Sequence, residues 1–243
     1  MSNEQTIEKK TFEVTKELIE NLVSLINEKR VFEINNALHA LHPSDAAEVL
    51  SNLPEKARFN LLLLEALDLR PDTVKELNNT LQKDILNQLP SDNVAEIVNQ
   101  LESDDALQIV SNLDEEKKID VYEKIPLQDK KLLEEVLKAY PEDSAARIMQ
   151  TEYCSVSPEW TVGETIDYLR ETVDLPKEFL QIFVVDDKKR PLGSVPSSRV
   201  LRNPRSTKMR DIMDETQMLI YGDWDKEQVG YLFEQYNLIS AGV

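Results

Sequence analysis

The residues of this chain that could do chemistry are mostly carboxylates standing where helices should begin. Asp104 and Asp105 open one apolar-periodic run. Asp72 lies near the start of another, and Asp223, Asp225 and Glu227 precede the run Val229 to Phe233. A carboxylate in the first turn of a helix accepts backbone N–H groups and complements the positive end of the helix dipole. By residue type alone these acids are caps first and hard oxygen donors for a cation second. Other groups offer less. His39 and His42 are three positions apart at one helix end with no third ligand in view, so they read as surface or capping residues rather than zinc ligands. The lone cysteine, Cys154, excludes an internal disulfide and reads as a small buried residue in a strand. The sequence contains no Gly-rich phosphate loop, no H-E-x-x-H, and no serine or cysteine nucleophile beside a histidine that can be identified. An enzyme is therefore not expected.

The elements that must position these acids fall into two kinds of sequence. The chain has 243 residues, room for two ordinary domains. Its 46 acidic against 28 basic residues give a net charge of −18. That disfavours non-specific nucleic-acid or anionic-membrane partners and permits cations. No run approaches the roughly 20 apolar residues that span a bilayer. The stretch from Phe59 to Leu69 is short and contains two acids, so it reads as a core helix, and the polar N-terminus is unlike a signal peptide.

From Thr11, the positions Val14, Leu18, Leu22, Leu25 and Ile26 follow helical spacing, and a second helix is predicted near Val31 to Leu41. Ser44 or Asp45 can cap the next helix behind Pro43, and Pro54 ends that helix and opens another. The phrase then returns. Asp45-Ala46, Val49-Leu50 and Ser51-Asn52-Leu53 match Asp105-Ala106, Ile109-Val110 and Ser111-Asn112-Leu113, 60 positions later, and Ala47-Glu48-Val49-Leu50 is echoed by Ala95-Glu96-Ile97-Val98. Leu53-Pro54, Leu89-Pro90 and Ile125-Pro126 punctuate the series. One amphipathic hairpin cannot bury its apolar face alone, so such units stack as a repeat.

No glycine occurs before Gly163. The stretch Tyr140 to Met149, YPEDSAARIM, therefore reads as the hinge between a helical domain and an α/β module. After it, Tyr153–Ser157, Leu180–Val185 and Pro191–Val195 are predicted as strands, with a helix from Thr161 between the first two and DDKKR as a turn between the last two. A short helical stretch ends at Met213. The order then restarts with TQMLIY as a strand, DKEQVGYLFEQY as a helix and LISAGV as the start of another strand. Ile148-Met149 and Ile212-Met213 are 64 positions apart, and so are Trp160 and Trp224, which read as hydrophobic packing at the strand–helix joints.

This strand–helix–strand–strand–helix frame, entered twice through an Ile-Met pair, resembles a tandem CBS pair. The helical repeats ahead of it resemble the superhelical N domain of MgtE-type magnesium channels. The junction is the most specific part of the resemblance. The family pattern Y-P-E-D-x-A-G-x-L-M-T-x-E-Y stands here as YPEDSAARIMQTEY, with Ala146 in place of glycine and Gln150 in place of threonine. The resemblance implies an α+β chain of two domains: an all-α superhelical repeat over 1–140, a first CBS copy over 141–212, and an incomplete second copy over 213–243. In the family a linking helix and a transmembrane pore follow.

The resemblance also implies a role and ligands. The role is that of a magnesium-sensing cytosolic region on the cytoplasmic face of the membrane. Regulatory Mg2+ bridges acidic faces of the N and CBS domains and so acts on the pore. Family ligand positions fall on Asp104, Asp225 and Glu227, and by ungapped counting on Asp72. Two further family acids fall on Asn237 and Gln108, which puts at least one interdomain ion in doubt. A homodimer through the CBS copies is expected. The nucleotide contact expected of CBS pairs is disfavoured, because the place of the ribose-binding acid falls within Ser198-Arg199. Two other readings remain beside this one: an acidic scaffold that docks a protein partner and uses the CBS copies to dimerise, and an adenosine-nucleotide sensor.

Overall fold

A computed structural model describes residues 12–243 apart from 174, 177 and 216–218. In the first part of the chain the helices follow one another at short intervals. They are α1 (Lys16–Asn27), α2 (Val31–His39), α3 (Pro43–Asn52), α4 (Glu55–Leu62), α5 (Pro71–Lys75), α6 (Asn79–Gln88), α7 (Ser91–Gln100), α8 (Ser103–Ser111), α9 (Glu115–Tyr122) and α10 (Leu127–Ala139). Two compact units result. One holds the residues up to Leu101 together with Ile109–Pro126. The other holds Glu102–Gln108 and Leu127–Val243.

In the first unit α3 packs on α5, α5 on α7 and α7 on α9, while α4 packs on α6, the neighbour-but-one pattern of a helical repeat. The repeated phrase buries the same positions in each copy: Ala46, Ala47, Val49 and Leu50 in α3; Val94, Ala95, Ile97 and Val98 in α7; Ala106, Leu107, Ile109 and Val110 in α8.

These helices end without glycine, and the sequence shows how. Leu53 and Leu89 are extended C-caps, at φ −65°, ψ 138° and φ −62°, ψ 149°. Each precedes a proline, whose ring disfavours a helical residue before it. Leu53, Leu89 and Ile125 are all buried, so each break also plugs the core. The carbonyls left open at helix ends are met by cations from elsewhere in the unit. Arg58 Nη1 donates to Leu50 O at 3.3 Å and Leu53 O at 3.2 Å. Arg70 Nη2 donates to Leu41 O at 2.7 Å, and Lys117 Nζ donates to Asn87 O at 3.5 Å and to Leu89 O. Burial pushes the Lys117 ammonium below the ordinary lysine range, with Asp120 opposing.

The start of α3 differs in detail from the expectation. The cap is His42, whose Nδ1 accepts from Ser44 N at 3.3 Å, with Pro43 in the first helical turn. His39 Nε2 lies 2.9 Å from Asp68 O. Both histidines are thus occupied by local capping and loop contacts.

The second unit carries a four-stranded sheet in the order β1-β2-β3-β4, from β1 (Ser155–Val156), β2 (Gln181–Val185), β3 (Pro191–Pro196) and β4 (Asp214–Glu215). β1 is parallel to β2, and the other pairs are antiparallel. Besides the start of α8 and all of α10, its helices are α11 (Val162–Glu171), α12 (Ser197–Arg202), α13 (Met209–Ile212) and α14 (Lys226–Tyr236). The β2–β3 turn is built on Asp186, whose Oδ1 accepts from Lys188 N and Arg190 N at 2.8 and 2.9 Å. Gly193 lets β4 approach, since a Cβ there would sit 2.3 Å from Asp214 O.

The core joins Cys154, Val156, Val162, Ile182, Val184, Val195, Val200 and Met209, with Trp160 against it. Burial pushes the Cys154 thiol up to about 11. A smaller cluster joins Ala145, Ile220 and Val229 with Trp224. The strand predicted over Tyr153–Ser157 shortens to two residues. Of TQMLIY, residues 216–218 lie outside the described residues, and Leu219–Tyr221 form no strand. LISAGV forms none either. Ile220 N donates to Gly242 O at 3.1 Å, and one such bond does not make a ladder.

The 64-residue frame is present as a reciprocal exchange. Met209 N donates to Trp160 O and Val162 N to Thr207 O, both at 2.8 Å. At the positions 64 away, Ala145 N donates to Trp224 O at 2.7 Å and Lys226 N to Asp143 O at 2.8 Å. The isolated bridges Thr161–Lys208 and Ser144–Asp225 obey the same relation. Each copy's helix start is held by the stretch that leads into the other copy.

Candidate functional site

Asp104 is the candidate acid whose surroundings are least like a plain cap. It sits half-buried in the first turn of α8, and its Oδ1 is buried with no hydrogen-bond partner. Burial is the largest influence on its carboxyl and raises it above the ordinary aspartate range. The amides of Asp105 and of Asp104 itself pull it down, the Asp105 charge adds to the rise, and a hydrogen bond with Gln150 lowers it. A buried carboxylate oxygen without a donor is costly. A cation is one group that could meet it.

The residues around it come from the junction. Gln150 Nε2 donates to Glu102 Oε2 at 2.7 Å. Ser103 donates to Glu152 Oε2 through N at 3.2 Å and Oγ at 2.8 Å, and Thr151 N donates to Ser103 Oγ at 2.9 Å. The start of α8, with Asp104 and Asp105 in its first turn, is therefore clasped by residues 150–152. The Gln150 amide supplies a neutral donor to one carboxylate there, Glu102.

Asp225 and Glu227 stand together at the start of α14, both exposed. Asp225 is the N-cap, and its Oδ1 accepts from Glu227 N at 2.9 Å and Gln228 N at 3.2 Å. Its counterpart 64 positions earlier is Thr161, whose hydroxyl caps α11 in a reciprocal box with Glu164. Capping is thus the role Asp225 already fills. Beside it Lys226 Nζ meets Asp143 at 2.6 Å. Asp72 is exposed in the first turn of α5, in the other unit. Among the described residues no three of His, Cys, Asp and Glu gather in a way that could hold one ion. The acids suit ions held by one or two carboxylates with retained waters, the habit of Mg2+. The sequence did not single out Glu102, Ser103 or Glu152, although Glu152 belongs to the junction motif.

Residues 41–143 match the family model described as the MgtE intracellular N domain. Over that stretch the chain is similar to an MgtE N domain. It is 24% identical over 227 residues to the magnesium transporter MgtE of Bacillus subtilis, a match covering 93% of this chain and 50% of that protein. It is 34% identical over 105 residues to MgtE of Thermus thermophilus, covering 42% and 23%. The chain thus spans about half the length of the Bacillus relative. In fold it is similar to the soluble part of a magnesium transporter, with TM-score 0.74 and 22% identity over 93% of this chain and 88% of that one. It is also similar to the cytosolic domain of the Mg2+ channel MgtE in complex with ATP, with TM-score 0.77 and 23% identity over 91% and 90%. The chain shares the fold of those two structures, a helical region followed by an α/β region that runs strand, helix, strand, strand, helix from β1 to α12. No helix among the described residues is long and apolar enough to cross a membrane.

Proposed function

We propose that this chain is the magnesium-sensing cytosolic region of an MgtE-type transporter, with an N domain over 1–140 and CBS copies over 141–212 and 213–243. The observation that carries the reading is the buried, unpartnered Oδ1 of Asp104. Asp104 would supply one carboxylate to a regulatory Mg2+. Asp225, Glu227 and Asp72 would supply others, with water completing each shell.

The physics is like-charge repulsion reversed by a cation. Two carboxylates 4 Å apart repel by about 1 kcal/mol in water and about 4 kcal/mol at an effective dielectric of 20. In a chain of net charge −18 the acid-bearing regions repel when unliganded. A divalent ion shared between them favours their approach, to the extent that it binds the approached arrangement better. In the parent protein that preference would act on a transmembrane pore, and the CBS copies would pair two chains. Calorimetric titration with MgCl2 tests the ligand set. Asp104→Asn should weaken binding at least tenfold. Equal affinity in the variant would remove Asp104 from the site.

A second reading has one observation in its favour, the ATP complex of a relative of similar fold. The sequence disfavoured a nucleotide at Ser198-Arg199, and Arg199 Nη1 is already engaged with Ile212 O and Asp214 Oδ1, at 2.8 and 2.7 Å. Calorimetry with ATP decides it. Saturable binding would add adenine nucleotides to the ligands of this chain.

A further inference from the structure

We infer that Arg147 fastens α10 to the second α/β copy, so that α10 and residues 222–236 open and close as one body. Three sets of contacts within the second unit lead there. First, the Arg147 guanidinium closes the end of α10, with Nε donating to Tyr140 O at 3.1 Å and Nη2 to Leu137 O at 3.0 Å. Second, the stretch just before Arg147 is laid along the second copy by main-chain bonds. Ala145 N donates to Trp224 O at 2.7 Å, Ala146 N to Gly222 O at 2.9 Å, and Lys226 N donates back to Asp143 O at 2.8 Å. The Lys226–Asp143 ion pair lies over the last of these. Third, the short link between α10 and that stretch is itself tied. Ser144, which is buried, donates to Pro141 O through Oγ at 2.7 Å, and the Tyr140 ring packs on Gly222 so closely that a Cβ there would meet its Cε1 at 2.9 Å.

The sequence suggests a swivel at Tyr140–Met149, yet these residues carry the fixings. Few torsions between α10 and α14 are left free. A displacement of α10 is therefore delivered to the start of α14, where Asp225 and Glu227 stand, rather than absorbed at the junction. Coupling of this kind travels through contiguous packed and hydrogen-bonded elements. The inference does not depend on any cation being bound, so it can fail while the proposed function stands, and the reverse.

Native-state hydrogen exchange on the 243-residue chain, without ligand, tests it. In the parent, the amides of Tyr140, Ala145 and Lys226 should exchange through one opening with the same denaturant dependence. Arg147→Ala should speed exchange at Tyr140 and in the last turn of α10 by about tenfold or more, the scale of one lost charged hydrogen bond. Phe183 N, bonded to Cys154 O in the sheet, should be unchanged. Gly222→Ala, which crowds Tyr140 and leaves Arg147 intact, should have the same effect on α10 and carries the test if Arg147→Ala does not fold. Separate openings of Tyr140 and Lys226 in the parent would overturn the inference, as would α10 exchange unmoved in the variants.

Discussion

The amide of Ala145 donates to the carbonyl of Trp224 at 2.7 Å. This bond has a twin, Met209 to Trp160, and the pair makes Asp225 the positional equivalent of Thr161. Equivalent caps should cost alike when removed, so Thr161→Ala and Asp225→Ala should each lose about 0.5–2 kcal/mol in denaturant unfolding. Asp225→Asn separates the two roles open to that residue. It should keep the cap and hence the stability, and lose the response of the melting temperature to Mg2+. An Asn variant with an unaltered Mg2+ response would leave Asp225 a cap alone.

Asp104 gives a pH dependence whose sign follows from its burial. Its folded carboxyl titrates above the unfolded one, so its charge opposes folding. The stability present below the ordinary aspartate range is lost as pH rises through the folded value. Asp104→Asn should therefore be more stable than the parent at neutral pH and equal to it in acid. Thermal melts across pH, with and without MgCl2, check this, and Mg2+ should narrow the neutral-pH gap.

The cationic helix closures should matter to the glycine-free unit. Arg58→Ala leaves Leu50 O and Leu53 O without that donor and should cost about 1–3 kcal/mol, with Arg58→Lys recovering part. Urea midpoints measure it. An Arg58→Ala midpoint equal to the parent's would show that water replaces the guanidinium without loss.

Cys154 should be inert while the chain is folded. Its thiol is buried and pushed up to about 11, so at pH 8 a disulfide reagent should react only at the rate of unfolding. Reaction at the rate of a free thiol would show that the core around Val156 and Ile182 opens readily.

Much of this architecture was legible because it is local. Periodicity gave the helices, Leu-Pro and Ile-Pro pairs gave the breaks, and the spacing of Trp160 and Trp224 gave the frame. Strand ends were less legible. Whether Leu219–Tyr221 or Leu238–Val243 joins a ladder depends on partners far along the chain, and the periodicity of a short apolar run is silent on that. The site was legible as a set of acids but not as a set of environments. Asp104, Asp225 and Asp72 look alike in sequence. Only folding buries one oxygen of the first, turns the second onto Glu227 N and Gln228 N, and leaves the third exposed. The Gln150 amide beside Glu102 and Asp104 was visible only as a departure from a pattern.

On the proposed mechanism a divalent cation, rather than charge screening, draws the acid-bearing regions together. Small-angle scattering across a MgCl2 titration, with NaCl at matched ionic strength, tests it most directly. The radius of gyration should shrink with Mg2+ alone, and less so in Asp104→Ala and Asp225→Ala. Equal compaction in both salts, or none in either, would contradict it, and the second result would favour an acidic scaffold whose partner binding ignores magnesium.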